Sequence, residues 1–121
     1  MTDTSNPGTR GEQEMQDQLR ILSGKFLLRT RDQAAQLRQL LQGLATGREP
    51  LTTFEEIAHK IHGSGAMFGF AQISACGGDI ESLAETALAG QSPLDAGTLT
   101  QLGLLIEQLD RLVQAALAAR S

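Results

Sequence analysis

Apolar residues recur at three- and four-residue spacing in four successive runs, and no other feature constrains the fold as tightly. Leu19, Leu22, Phe26, Thr30, Ala34, Leu37, Leu41 and Leu44 keep this spacing in the first run, and Phe54, Ile57, Ile61 and Phe68 in the second. Ile73, Cys76, Ile80, Leu83 and Ala87 form the third, and Leu99, Leu102, Ile106, Leu109, Val113 and Leu117 the last. Spacing of this kind gathers the apolar side chains on one side of an α-helix. The breaks between runs hold helix-ending residues: Gly47 and Pro50 in ATGREP (residues 45 to 50), Gly69, and the turn-forming GQSPLDAG (residues 90 to 97). Thr52 with Glu55, or Thr53 with Glu56, can open the second helix as a capping box, and Ser92 or Asp95 can cap the fourth. Four amphipathic helices with short loops predict an all-α fold, an antiparallel up-and-down four-helix bundle. A break at Gly24 would add a short extra N-terminal helix.

Composition agrees. Aromatic residues make up only 3% of the chain and tryptophan and tyrosine are absent, which suits helix packing better than a sandwich or barrel. At 121 residues the chain suits one domain. Residues 1 to 11 hold Pro7, two glycines and small polar residues, and are expected to be a flexible N-terminal tail ahead of a bundle over residues 12 to 121.

Charge narrows the partners. The formal net charge is -4, and residues 50 to 121 hold three basic against eight acidic residues, so the basic patch that a nucleic acid needs is missing. The longest uncharged stretch, residues 61 to 78, is broken by Gly63, Gly65, Gly69, Gly77 and Gly78 and lacks the apolarity of a membrane helix. Cys76 is the only cysteine, which excludes an intrachain disulfide, and the polar N-terminus shows no secretory signal. A soluble cytoplasmic protein is the expectation, with Cys76 an inert buried thiol.

Residues 52 to 70, TTFEEIAHKIHGSGAMFGF, hold both histidines and three of the four phenylalanines. At about 100° per residue, His59 falls roughly 200° from Ile57 and from Ile61, and so points away from the apolar stripe. His62, Gly63 and Ala66 share its side of the helix, leaving low surface beside the imidazole. A glycine inside a helix costs about 1 kcal/mol against alanine, so Gly63 and Gly65 imply close approach by another surface. An exposed imidazole with a pKa of about 6.5 is mostly neutral at pH 7 and keeps a nitrogen lone pair, which makes it a nucleophile.

The order His59, Ile61, His62, Gly63, Ser64, followed by Gly69, Ile73, Ile80 and Glu81, resembles the signature of histidine-containing phosphotransfer (HPt) domains. The resemblance implies a phosphocarrier of two-component phosphorelays, not an enzyme acting alone. His59 would be the phosphorylated residue, taking a phosphoryl group from a receiver-domain aspartate or a kinase and passing it to another receiver domain. His62 stands where the family usually has a lysine that contacts the phosphoryl group, and Gly63 keeps the surface open. Ser64 either helps to orient the phosphoryl group or bonds back to its own helix. Ala66 belongs to the docking face, while Met67 and Phe70 are open to two readings, core or apolar docking rim. The chain itself would need no cofactor, with Mg2+ expected on the partner receiver domain; it would work as a monomer.

Two other classes compete. Glu56 and His59 have the Glu-x-x-His spacing of di-iron bundles, and His59 with His62 could share an ion, but a second such motif is missing and no metal is expected. A plain helical interaction module, with the glycines serving tight packing, is the other. Hydrolase triads, phosphate-binding loops and nucleotide fingerprints are absent, as is the motif of histidine kinase dimerisation domains, since Lys60 follows His59.

Overall fold

The computed structural model describes residues 7 to 90 and 94 to 120. It contains four helices: α1 (Pro7–Leu44), α2 (Leu51–Met67), α3 (Ala71–Ala89) and α4 (Ala96–Ala119). Each packs on two neighbours, α1 on α2 and α4, and α3 on α2 and α4, with no diagonal pair in contact among the described residues. Phe26 of α1 lies against Phe68 and Phe70 at the α2–α3 corner, with ring centroids 5.4 and 5.5 Å apart. The start of α1 in the bundle thus meets the end of α2, and Gly103 near the start of α4 meets Leu41 near the end of α1. The bundle is therefore antiparallel and up-and-down, as the periodicity predicts.

The stripes account for the core. Phe26, Leu27, Leu37, Phe54, Ile61, Ile80, Leu102, Leu109 and Val113 are all buried, and each such side chain contributes roughly 1.5 to 3 kcal/mol. Thr30 sits among them with its hydroxyl donating to the Phe26 carbonyl, so its one polar group is satisfied. Cys76 is buried too, and burial, with Asp79 nearby, pushes its thiol up to about 11. Its burial is as expected.

Four expectations are corrected. The first helix begins at Pro7, so residues 7 to 11 are helical where composition predicts a tail; residues 1 to 6 lie outside the described ones. Proline suits a first helical position, where its missing N–H would have no partner. Gly24 does not break α1. Its lack of a side chain leaves room for the guanidinium of Arg120, which donates to the Arg20 carbonyl at 2.5 Å and ties the end of α4 to α1.

Leu19 and Leu22 continue the stripe but are exposed, because α1 runs 38 residues against 24 for α4 and overhangs the bundle. Neither capping box forms. Pro50 already has helical dihedrals, Phe54 N donates to its carbonyl, and Thr52 and Thr53 fall inside the first turn of α2. At α4 the expected cap is present: Asp95 accepts from Thr98 N at 2.6 Å, while Ser92 lies outside the described residues. No described helix is long and apolar enough to cross a membrane.

Candidate functional site

The site is built by the closeness of α2 and α3. Gly65 faces the backbone of Ser74, and a Cβ there would lie 2.9 Å from Ser74 N. Gly77 faces α2 in the same way, with Ile61 Cγ2 at 2.9 Å and His62 N at 3.0 Å from a Cβ position. Ser74 Oγ closes the seam by donating to the His62 carbonyl at 2.7 Å. One turn beyond Gly77, this antiparallel register sets Glu81 opposite His59. Phe70 N donates to the Gly65 carbonyl across a corner made by Gly69, whose φ of +82° is the left-handed conformation that glycine adopts without strain.

His59 projects from α2 with 71% of its side chain exposed, as the helical geometry predicts. It is not loose. Its Nδ1 lies 2.5 Å from Glu81 Oε2, and His62 Nδ1 lies 2.9 Å from Glu81 Oε1. An ionised carboxylate only accepts, so both Nδ1 atoms carry the proton and donate it. Neutral His59 then has its lone pair on Nε2, the nitrogen facing solvent. The Glu81 side chain is only 11% exposed.

The charges tune one another. The hydrogen bond and the charge of Glu81, with smaller contributions from Glu55 and Glu85, hold the imidazole of His59 above its ordinary 6.5. Burial alone would raise the Glu81 carboxyl; the bonds from His62 and His59 outweigh it and bring the group below its ordinary 4.5. The stabilisation from His59 is full below its unfolded pKa and is lost as pH rises through the raised folded value. That from Glu81 is present above its unfolded pKa and is lost as pH falls through the lowered folded value. The His59–Glu81 bond is therefore expected to stabilise the fold most between pH 4.5 and 6.5, the two ordinary values. Thermal melts from pH 4 to 8 check this: the excess stability of wild type over Glu81→Gln should peak in that window, and a difference independent of pH would contradict it.

The other expected site residues divide. Gly63 has nothing within 4 Å of a Cβ position, so it is bare surface, unlike Gly65 two residues on. Ala66 is exposed and Met67 is 79% exposed, both on the side of α2 that carries His59. Ser64 is half-buried and lies about 140° around the helix from His59, so the fold does not bring it to the imidazole. Phe70 is half-buried and stacked on Phe26, which makes it core, not rim.

Glu81 is the residue whose role the sequence conceals. Its place after Ile80 is part of the family pattern, but 22 positions separate it from His59 and only the α2–α3 packing joins them. One oxygen or nitrogen from each of Glu55, His59 and Glu81 lies within 4.8 Å of the others, close enough to share a cation. The Glu56 pairing suggested by spacing is not the one formed. Both imidazoles donate to Glu81, so His59, His62 and Glu81 form one hydrogen-bonded group.

Comparison with curated proteins finds no match, and neither does comparison with solved structures. The family model of the Hpt domain matches residues 21–115, a span that takes in both histidines, Glu81 and all of α2 and α3. An exposed histidine on one helix of a four-helix bundle, anchored by a buried carboxylate and covered by that match, places this chain in the Hpt domain family, whose members carry phosphoryl groups on histidine in phosphorelays.

Proposed function

We propose that His59 is the phosphoryl carrier, accepting the group on Nε2 from the aspartyl phosphate of a receiver domain or from a kinase, and passing it to another receiver domain. The observation that carries this is the bond from His59 Nδ1 to the buried Glu81 carboxylate, which leaves the Nε2 lone pair pointing outward beside bare surface. In the accepting step the Nε2–P bond forms as the P–O bond of the aspartyl phosphate breaks, and the bonding pair returns to the aspartate carboxylate. The proton stays on Nδ1. The ring becomes a phosphoimidazolium whose positive charge faces Glu81, and the onward transfer is the same step reversed.

Phosphoryl transfer asks mainly for in-line access and charge neutralisation. The chain supplies an oriented nitrogen, and the partner receiver domain supplies its aspartate and Mg2+. Gly63, Ala66 and Met67 form the surface on which the receiver docks, and one copy of the chain suffices. The test is incubation with receiver domains charged by acetyl phosphate. An acid-labile, base-stable phosphate that maps to His59 by mass spectrometry is expected; label on another residue, or none with any receiver, would overturn the assignment.

Gly63 offers a separate check on docking. With open space around it, Gly63→Ala should raise stability by up to about 1 kcal/mol through helix propensity. Gly63→Gln should keep the melting temperature yet slow transfer from the receiver at least tenfold, because a long side chain would stand one helix turn from His59. Equal transfer rates in wild type and Gly63→Gln would move the docking surface elsewhere.

A further inference from the structure

Both oxygens of Glu81 are bonded, and His62 holds the one that His59 does not. The His62 ring rests against α3, where a Cβ at Gly78 would lie 3.2 Å from Nε2 and 3.3 Å from Cδ2 and Cε1. With its backbone carbonyl bonded by Ser74 Oγ at 2.7 Å, the residue is fixed at both ends. On its other side the groove is lined by Ala66, Gly69, Ala71, Ser74 and Ala75, none of them charged. The charged groups around His59 are Glu55, Glu56 and Lys60 from α2, with Glu81 and Glu85 from α3. Of these, Glu81 is the one bonded to His62.

We infer that His62 is a positioning residue acting through Glu81: its Nδ1–H occupies one oxygen of the carboxylate and takes part of its charge, leaving only the other oxygen to the Nδ1–H of His59, which sets the basicity of the reactive nitrogen. The consequence for transfer rests on the reading of His59 as the carrier; the coupling among the three side chains does not. Without this donor, Glu81 Oε1 would be left buried and unpartnered, and the whole carboxylate charge would fall on His59. The imidazole of His59 would then hold its proton more strongly. Neutral nucleophile would be scarcer at a given pH, and the phosphoimidazolium better stabilised.

Asparagine and glutamine separate the two nitrogens of His62. His62→Asn puts an amide nitrogen where Nδ1 stood, His62→Gln puts one where Nε2 stood, and His62→Leu supplies neither. In the full unphosphorylated chain, nitrogen-detected NMR reads the tautomer and titration of His59, and phosphoramidate serves as a phosphoryl donor that needs no partner protein. His62→Asn should keep the Nδ1–H tautomer and the wild-type midpoint. His62→Gln and His62→Leu should raise the midpoint by about half a pH unit or more and displace the pH profile of phosphoryl uptake equally. If instead the glutamine variant behaves as wild type and the asparagine variant as leucine, His62 works through Nε2 and the inference is overturned. Identical His59 titration in all four proteins would overturn it as well. Failure of all four to take up phosphate would sink the reading of His59 alone, since the titration tests the coupling in unphosphorylated protein.

Discussion

His59→Gln is expected to abolish phosphoryl uptake while the protein still folds, with its thermal unfolding midpoint at pH 8 lowered by no more than a few degrees. The loss should be complete because the amide nitrogen of glutamine has no available lone pair, so no N–P bond can form at that position. Stability should hold because the His59 side chain is 71% exposed and buries nothing. What it loses is one bond to Glu81, whose other oxygen is still bonded by His62. Measuring at pH 8, above the ordinary 6.5, lessens the pair's charge attraction, which is lost as pH rises through the raised value of His59. Phosphoryl uptake from a charged receiver and a thermal melt, measured on the same preparation, decide the matter. Label retained in this variant would move the nucleophile to His62, and a large fall in melting temperature would make His59 a structural residue.

Gly65→Ala should lower stability by about 1 to 3 kcal/mol, the range for an overpacked site, although alanine is the better helix former. Its new methyl group would stand 2.9 Å from Ser74 N and 3.0 Å from Ser74 Cα, and backbone cannot turn aside as a flexible side chain can. The two helices must separate. Separation at Gly65 moves the seam that positions Glu81, so the bonds from His59 and His62 should lengthen and the raised pKa of His59 should relax towards 6.5. Gly77→Ala should act in the same direction, since a Cβ there would meet a methyl group of Ile61 at 2.9 Å and the backbone nitrogen of His62 at 3.0 Å. Denaturant unfolding with imidazole titration checks both effects. A Gly65→Ala protein as stable as Gly63→Ala would show that the α2–α3 approach is not set by the glycine.

These contrasting glycines show where sequence reasoning stops. Gly63 and Gly65 are two residues apart in one helix, and each equally implies close approach by some other surface. Whether that surface is α3 or a separate protein depends on which way α3 passes, a long-range property absent from the local pattern. The capping boxes failed on a nearer contest: a helix beginning at Leu51 on the helical dihedrals of Pro50 takes the two threonines into its first turn. Leu19 and Leu22 failed on length, because a stripe does not record where the neighbouring helices end.

Sequence alone determined the four helices, the buried stripes, the antiparallel bundle and the outward direction of His59, since each follows from 3.6-residue periodicity and from glycine and proline at the breaks. Tertiary structure alone decided what holds His59. Helix α3, packed on glycines against α2, brings a carboxylate from 22 residues away onto two imidazoles. Only in that packed arrangement do the tautomer of His59, the engagement of His62 and the outward lone pair on Nε2 follow, because hydrogen bonds between helices require the helices to be set at a distance that no local sequence fixes.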